Sequence, residues 1–387
     1  MDATEENMTN ISEKSTKIQI AVLCFATNIS QLPILVERGL TTIVAMPLWV
    51  VALLLIVFKN RYKLKKEIFF LLVMAVLFLI GQCLATIING NDYLITSLSY
   101  PFYLSIFMVL VIYFYSGKMT EKDFGIIAAG YISSTAIVAF AVYFTYFRGG
   151  FDWNSIQYVY SSKNSVSQII FTAITLLIFC IRPTRKYQRV FKYAGVLLFT
   201  VFLLALRSRA SILGLLIIII IVVFFSRADW KIKALIMLVI VGFAIALFSN
   251  DSLYNFLVNN ILLGNRDIKN LDEVSSGRLD ILSTFPSLIE GNGLLGAGNR
   301  YYECFYLAAF LQHGYIFGSI LIIVAIYPAI WAVRHLRMDE SVNIMFLVLA
   351  VSYCVNGIFE GVAPLGPGVK CYFVWLMLGL MLKREHS

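Results

Sequence analysis

Hydrophobic and polar residues come in long blocks along this chain. Apolar stretches fall at about 17–36, 40–58, 68–90, 97–116, 124–147, 164–182, 190–206, 210–226, 231–249, 313–333, 341–360 and 367–382. Each approaches the ~20 apolar residues that carry a helix across a hydrocarbon core about 30 Å thick. In lipid a helix satisfies its own backbone, whereas a lone strand does not. The pattern predicts an all-α polytopic membrane protein of about 12 transmembrane helices. The first stretch is the least regular, because Asn28, Gln31 and Pro33 interrupt it.

The polar intervals are unequal. Residues 250–312 form a 63-residue insert between the ninth and tenth stretches, and no other interval outside the membrane approaches it. This divides the chain into residues 1–249 with nine spans, 250–312 as a large periplasmic loop with short helices, and 313–387 with three spans. Long ordered loops are usually functional.

Lys and Arg orient the array, since cytoplasmic segments carry their excess. With the N-terminus inside, alternate segments take 21 of the 31 Lys and Arg residues. They include Lys59, Arg61, Lys63, Lys65 and Lys66, then Arg182, Arg185, Lys186, Arg189 and Lys192, and near the end Arg334, Arg337, Lys383 and Arg384. Both termini are then expected in the cytoplasm.

Composition agrees. The chain is 60% hydrophobic and only 14% charged, against roughly 25% charged in soluble domains, and its mean hydropathy is +0.82. The net charge of +9 therefore reads as anchoring of spans, with no nucleic-acid partner. Cys24, Cys83, Cys180, Cys304, Cys354 and Cys371 form no C-x-x-C pair, so neither a zinc site nor a disulfide framework is suggested. The first fifteen residues are polar, and no small-residue cleavage site follows a short apolar core, so no cleavable signal peptide is expected.

Candidate chemistry gathers in and around the insert. "GNGLLG" at 291–296 matches G-x-G-x-x-G. A dinucleotide turn needs a preceding strand and an acid about 20 residues further on. Here "LSTFPSLIE" precedes it and an apolar span follows, so these glycines are expected to turn the backbone and let it approach another surface. "LLALRSRASILGLL" places Arg207 and Arg209 between two apolar runs with almost no loop. Charge at that depth is costly unless it is paired or wet, and a guanidinium fork suits phosphate oxygens. "SSGRLDIL" holds Arg278 behind Ser275 and Ser276, either of which could cap a short helix. In "NRYYECFYLAAFLQHG", helical spacing puts Arg300, Glu303, Tyr306, Phe310 and His313 on roughly one face. Glu360 sits at the outer end of the eleventh stretch in "IFEGVAPLGPG". Bland readings stand beside each of these: snorkelling arginines, an Arg300–Glu303 surface pair, an interfacial aromatic belt and a structural histidine. The chain has no D-x-D pair, no phosphate loop of the G-x-x-x-x-G-K-[ST] type, no H-E-x-x-H and no G-x-S-x-G.

Together these pieces resemble the O-antigen polymerase and O-antigen ligase superfamily of bacterial membrane glycosyltransferases. The resemblance rests on the span layout, the large outer loop, "SRAS", "SGRLDIL", and "GNGLLGAGN" followed by an aromatic helix reaching "HGYIFG". By motif it covers about residues 200–320. Ligases of that group usually place His-Asn eleven residues before the helix glycine. Counting back from Gly314 gives Glu303-Cys304 here, which is similar to many polymerases. The resemblance implies an O-antigen polymerase of the bacterial inner membrane working on undecaprenyl-pyrophosphate-linked oligosaccharides, with a flippase and a chain-length regulator as partners and no metal or other cofactor. The alternatives are an O-antigen ligase that attaches glycan to lipid A-core, or a flippase for lipid-linked oligosaccharide. On the polymerase reading, Arg209, Arg278 and Arg207 would face the pyrophosphate and Glu303 would accept the hydroxyl proton. Arg300, Tyr306, His313 and Glu360 would line the substrate.

Overall fold

The computed structural model describes residues 3–57, 65–90, 93–116, 120–148, 163–225, 230–263, 278–337, 340–365 and 371–384. Among them every regular element is helical and no strand occurs. In chain order the elements are α1 (Ala3–Ile29), α2 (Pro33–Glu37), α3 (Thr41–Val57), α4 (Lys66–Asn89), α5 (Ser99–Tyr115), α6 (Glu121–Val142), α7 (Lys163–Phe179), α8 (Lys186–Ala205), α9 (Arg209–Phe225), α10 (Trp230–Ser249), α11 (Asp251–Tyr254), α12 (Arg278–Ile289), α13 (Phe305–Arg334), α14 (Ser341–Asn356) and α15 (Tyr372–Arg384). α6 runs on as a π-turn over Tyr143–Phe147 and α11 as one over Asn255–Leu263.

A helix occupies each of the twelve apolar stretches. By length and composition four described helices can cross a membrane: Lys66–Asn89, Asp123–Phe147, Lys186–Ala205 and Phe305–Arg334. A fifth forms if Lys233–Ser249 and Asp251–Ile261, bent by 102°, count as one span. The other apolar helices are shorter. The first stretch stops as a helix at Ile29, and Pro33 opens α2. The polar residues that interrupt it turn inward. Asn28 Nδ2 donates to the Tyr131 carbonyl at 3.2 Å and to Thr135 Oγ1 at 3.1 Å on α6.

Burial sorts the bundle into inside and outside. α5, α7, α14 and α15 are buried on almost every side, while α4, α8 and α10 expose Leu, Ile, Val and Phe. A helix that is apolar all round and buried belongs to the interior, and exposed apolar faces on a chain of this composition are lipid-facing surface. α1 packs on α6, α5 on α15, α7 on α8, and α14 on both α9 and α13.

α13 is not one continuous helix. Gly314 has φ 71° and ψ 177°. A Cβ built on Gly318 would stand 2.6 Å from the Ala309 carbonyl oxygen. Nine residues of unbroken helix rise about 13.5 Å, so that contact requires residues 305–313 to fold back against residues 315–334. Backbone groups freed by such a break need partners, because an orphaned N–H or C=O in apolar surroundings costs several kcal/mol. The glycine run supplies them. Ala297 N–H donates to Leu311 O at 2.7 Å, Gly298 N–H to Gln312 O at 3.3 Å, and Tyr315 N–H to Gly293 O at 2.8 Å.

Like Gly296 across from it, Gly314 is a position where this arrangement admits no side chain. Its φ is 71°, and an added Cβ would run into the backbone of Leu294 and Leu295. Gly291 has a similar φ of 78° but nothing within 4 Å of an added Cβ. Gly314→Ala is therefore expected to destabilise the protein by about 3 kcal/mol or more, and Gly291→Ala by about 1 kcal/mol. Heating each variant in detergent and scoring surviving monodisperse protein checks this. Equal midpoints would mean that the close approach at Gly314 does not hold the break.

Candidate functional site

The polar contacts of the bundle separate into two ends. At one end Lys17 pairs with Asp123 at 3.0 Å, and Arg384 pairs with Glu340 at 3.0 Å. There Arg182 also donates to Ser341 Oγ at 3.1 Å, and Lys65 and Lys383 both lie over the Tyr113 ring. At the other end lie Tyr146 bonded to Glu37, Asn164 bonded to Glu360, and the broken start of α13 with the glycine run. All eight residues predicted from the sequence to act on substrate belong to this second end or to the segments leading into it.

The start of α13 is built around Phe305. Its N–H donates to Gly357 O at 2.8 Å and to Glu360 O at 3.0 Å, and its ring is fully buried. This bond draws the segment carrying Glu303 against the segment carrying Glu360, 57 positions later in the chain. Tyr306 adds a second tie, donating its hydroxyl to the Cys354 carbonyl at 2.7 Å. Glu360 Oε1 accepts from Asn164 Nδ2 at 2.5 Å, which links the start of α7 to the same spot. Phe285 of α12 meets Tyr302 with ring centroids 5.9 Å apart. The helix that begins at Arg278 therefore rests beside the residues that precede α13.

One expectation is corrected here. Arg300, Glu303, Tyr306, Phe310 and His313 do not share a helical face, because the helix starts only at Phe305 with Cys304 as its N-cap. Arg300 and Glu303 stand in the extended approach to it, where Arg300 is exposed and Glu303 half-buried. The physical reason is the double acceptor held by Phe305 N–H. A helix extended upstream would have to give that N–H an acceptor four residues back, whereas here it is engaged by the loop after α14.

His313 ends the first part of α13 and is 2% exposed. Its Nε2 lies 3.0 Å from Thr96 Oγ1, and its ring meets Phe78 edge-on at 4.8 Å. Around it runs a polar network. Gln82 Nε2 donates to Tyr93 O at 2.8 Å and to Ser99 Oγ at 2.5 Å, and Gln82 Oε1 accepts from Tyr103 at 2.6 Å. Tyr93 donates its hydroxyl to Gly296 O at 2.9 Å. Ser97 N–H donates to Asn299 Oδ1 at 3.1 Å. Gln312 Nε2 donates to Ser97 Oγ at 2.8 Å and to Arg300 O at 2.7 Å. The turn between α4 and α5 is thereby fastened onto the glycine run and the break. Sequence reasoning singled out none of Gln82, Tyr93, Thr96, Ser97 or Gln312. The available signal was a glutamine in the middle of an apolar stretch, which is costly there without a partner.

The arginines lie on a third segment. Arg207 closes the corner between α8 and α9 with φ 53°, the one non-glycine residue among those described with positive φ. It is 5% exposed, and its guanidinium donates to the Asn260 carbonyl through Nε at 2.8 Å and also through Nη2. Asn260 reaches it because the chain turns by 102° after α10. Asn250 caps the new direction by accepting from Leu253 N–H at 3.0 Å. Arg209 is the first residue of α9 and half-buried. Arg278 opens α12, and its side chain lies outside the described residues, as do Ser275 and Ser276. The hydrogen bonds named above draw together the segments that carry Glu303, Tyr306 and Glu360, and separately those that carry Arg300, His313 and the glycine run. They do not join Arg207 or Arg209 to either group.

Residues 194–319 match the family described as O-antigen ligase. The matched stretch begins in α8, contains every predicted site residue except Glu360, and ends just beyond the break in α13. No curated protein and no solved structure matches the chain significantly.

The fastening of the α4–α5 turn is open to a direct check. Tyr93→Phe removes the donor to a buried carbonyl, at a cost of about 1–3 kcal/mol. Tyr193→Phe, on an exposed side chain, is expected to change stability by less than about 0.5 kcal/mol. Thermal midpoints of the purified variants decide it. A Tyr93→Phe protein as stable as the parent would mean that the network does not hold the turn.

Proposed function

From the premise that the chain is a member of the O-antigen ligase/polymerase superfamily, we propose that it is an O-antigen polymerase. It would join undecaprenyl-pyrophosphate-linked glycans at the periplasmic face of a bacterial inner membrane, with both termini in the cytoplasm and about 12 spans. The supporting observation is the Phe305 bond to Gly357 and Glu360, which draws two carboxylate-bearing segments together at the end of the bundle where the matched region is densest in site candidates.

In this reading the growing chain is the donor. A hydroxyl of the new lipid-linked repeat unit attacks the anomeric carbon of the donor's reducing-end sugar. The new glycosidic C–O bond forms as the bond to pyrophosphate breaks, the hydroxyl proton passes to Glu303, and lipid pyrophosphate leaves with the bonding electrons. Arg209, Arg278 and Arg207 face the leaving group, where fixed guanidinium donors stabilise charge that grows in the transition state. Glu360, held by Asn164, and Tyr306 with Arg300 bound the acceptor, and His313 lies on the same side of the substrate. The leaving group is already activated, so the chemistry requires neither a nucleotide nor a metal.

A ligase reading is favoured by the description of the matched family. Against it stands Glu303-Cys304, where ligases of that group usually carry His-Asn. The two readings differ in what a null strain accumulates: lipopolysaccharide with a single repeat unit for a polymerase, lipid-linked polymer for a ligase. A strain with no repeat units outside the membrane would point to a flippase.

Arg209→Ala, Arg278→Ala and Glu303→Gln are each expected to cut polymerisation about a hundredfold, equivalent to ~3 kcal/mol of transition-state stabilisation. Surface polysaccharide on a gel would collapse from a ladder to single units at unchanged protein level. Arg278→Lys retains charge but loses the two-pronged donor, so it is expected to fall well short of full activity. Normal ladders from the first three variants would sink the assignment.

A further inference from the structure

A second polar site lies at the opposite end of the bundle, where α13 and α15 finish and α14 begins. Trp331, His335, Arg337, Glu340, Asn343 and Arg384 line a cavity there, which with its open mouth holds about 360 Å³. None of them takes part in the glycan transfer proposed above.

Three features define its chemistry. The first is charge. Among the described residues, Glu340 faces two guanidinium groups, at 3.0 Å from Arg384 and 3.6 Å from Arg337. Each guanidinium carries five donors, more than one carboxylate takes up, so donors remain at the cavity wall. Arg334 and Lys383 stand in the adjoining last turns and add to the positive field. The second is a set of buried polar atoms without partners among the described residues. The Trp331 indole N–H has no acceptor and Asn343 Oδ1 has no donor, although both residues are only 5% exposed. Leaving such atoms unmet costs about 1–3 kcal/mol each. The third is rigidity. The Trp331 ring is stacked on His335 at 4.3 Å, and His335 Nδ1 lies 2.9 Å from the Trp331 carbonyl oxygen. The donors are therefore held in place.

We propose that this cavity is a phosphate-binding site whose occupant is the headgroup of an anionic lipid. Guanidinium donors from Arg337 and Arg384 and the Trp331 N–H would take the phosphate oxygens. Asn343 Oδ1 would accept from a hydroxyl on the headgroup alcohol, which makes a glycerol phosphodiester the best-fitting class. Basic pockets between membrane helices on the cytoplasmic side hold such headgroups by the same physics. Only the leaflet, the cytoplasmic one, rests on the orientation set by Lys and Arg.

The test uses the full chain in detergent supplied with defined lipid, with retained lipid counted by native mass spectrometry. Phosphatidylglycerol is expected to stay bound to the parent in preference to phosphatidylcholine. Trp331→Phe keeps the stacked ring and removes only the N–H, and Arg337→Gln removes an exposed charge. Each is expected to reduce retention about fivefold. Arg182→Gln, at the same end but outside the cavity, is expected to leave retention unchanged. A second arm adds inorganic phosphate to delipidated protein. A rise in thermal midpoint in the parent that Trp331→Phe abolishes, without lipid retention, would keep the phosphate site and assign it to a soluble ligand. Equal retention of the two lipids with no phosphate effect would overturn the proposal, as would a loss in Arg182→Gln as large as in the cavity variants.

Discussion

A helix broken inside a membrane leaves backbone groups that lipid cannot satisfy, and this fold meets that constraint at Gly314. The carbonyls of Leu311 and Gln312 and the N–H of Tyr315 find their partners in Ala297, Gly298 and Gly293. Much of the second end of the bundle follows from that exchange. The glycine run must lie against the break, the α4–α5 turn must lie against the glycine run, and the start of α13 is free to meet the loop after α14. Glu303 and Glu360 are neighbours in consequence.

The two ends of the bundle do different physical work with polar residues. The end carrying Lys17, Arg182, Arg337 and Arg384 uses ion pairs and cation–ring contacts. The more exposed of these contacts, such as Arg337 with Glu340, are individually worth little, whereas Lys17 and Asp123 pair largely buried. The other end relies on neutral hydrogen bonds between segments far apart in sequence, through Gln82, Tyr93, Thr96, Gln312 and His313. A scaffold of that type holds backbone in place without adding charge. Ionisable groups stand there too, among them Glu37, Arg207, Arg209, Arg300, Glu303 and Glu360.

The sequence carried the helical class plainly, because every apolar block is long and every polar interval carries charge or turn residues. Asn28, Gln31 and Pro33 were read as interrupting a stretch that runs over about 17–36, and the helix stops within it at Ile29. The glycine run was also legible as a close backbone approach, since no strand or acid supported a dinucleotide. What it approaches was not legible, because Gly314 looks like any glycine in an apolar helix until its φ is known. Periodicity placed Arg300 and Glu303 on a helix for the same reason: local pattern cannot see that Phe305 N–H is engaged by Gly357 and Glu360, more than fifty residues on. Arg207 was read as a candidate ligand for phosphate; in the structure its guanidinium grips the Asn260 carbonyl. That contact depends on the 102° turn after α10, which no short window of sequence encodes.

Order of synthesis gives the α4–α5 turn a further meaning. Gln82, Tyr93, Ser99 and Tyr103 satisfy one another within 22 residues, so this polar knot can close as soon as its two helices emerge. The Tyr93 hydroxyl and Thr96, which have local partners in Asn89 and Ser99, and Ser97 find further partners about two hundred residues later, in Gly296, His313, Asn299 and Gln312. Half of the socket is therefore made early and waits, with its far side open, while the intervening helices are threaded into the bilayer. The segment that ends the wait is the one bearing Glu303, so this end of the bundle is completed only after the frame that will grip it already stands.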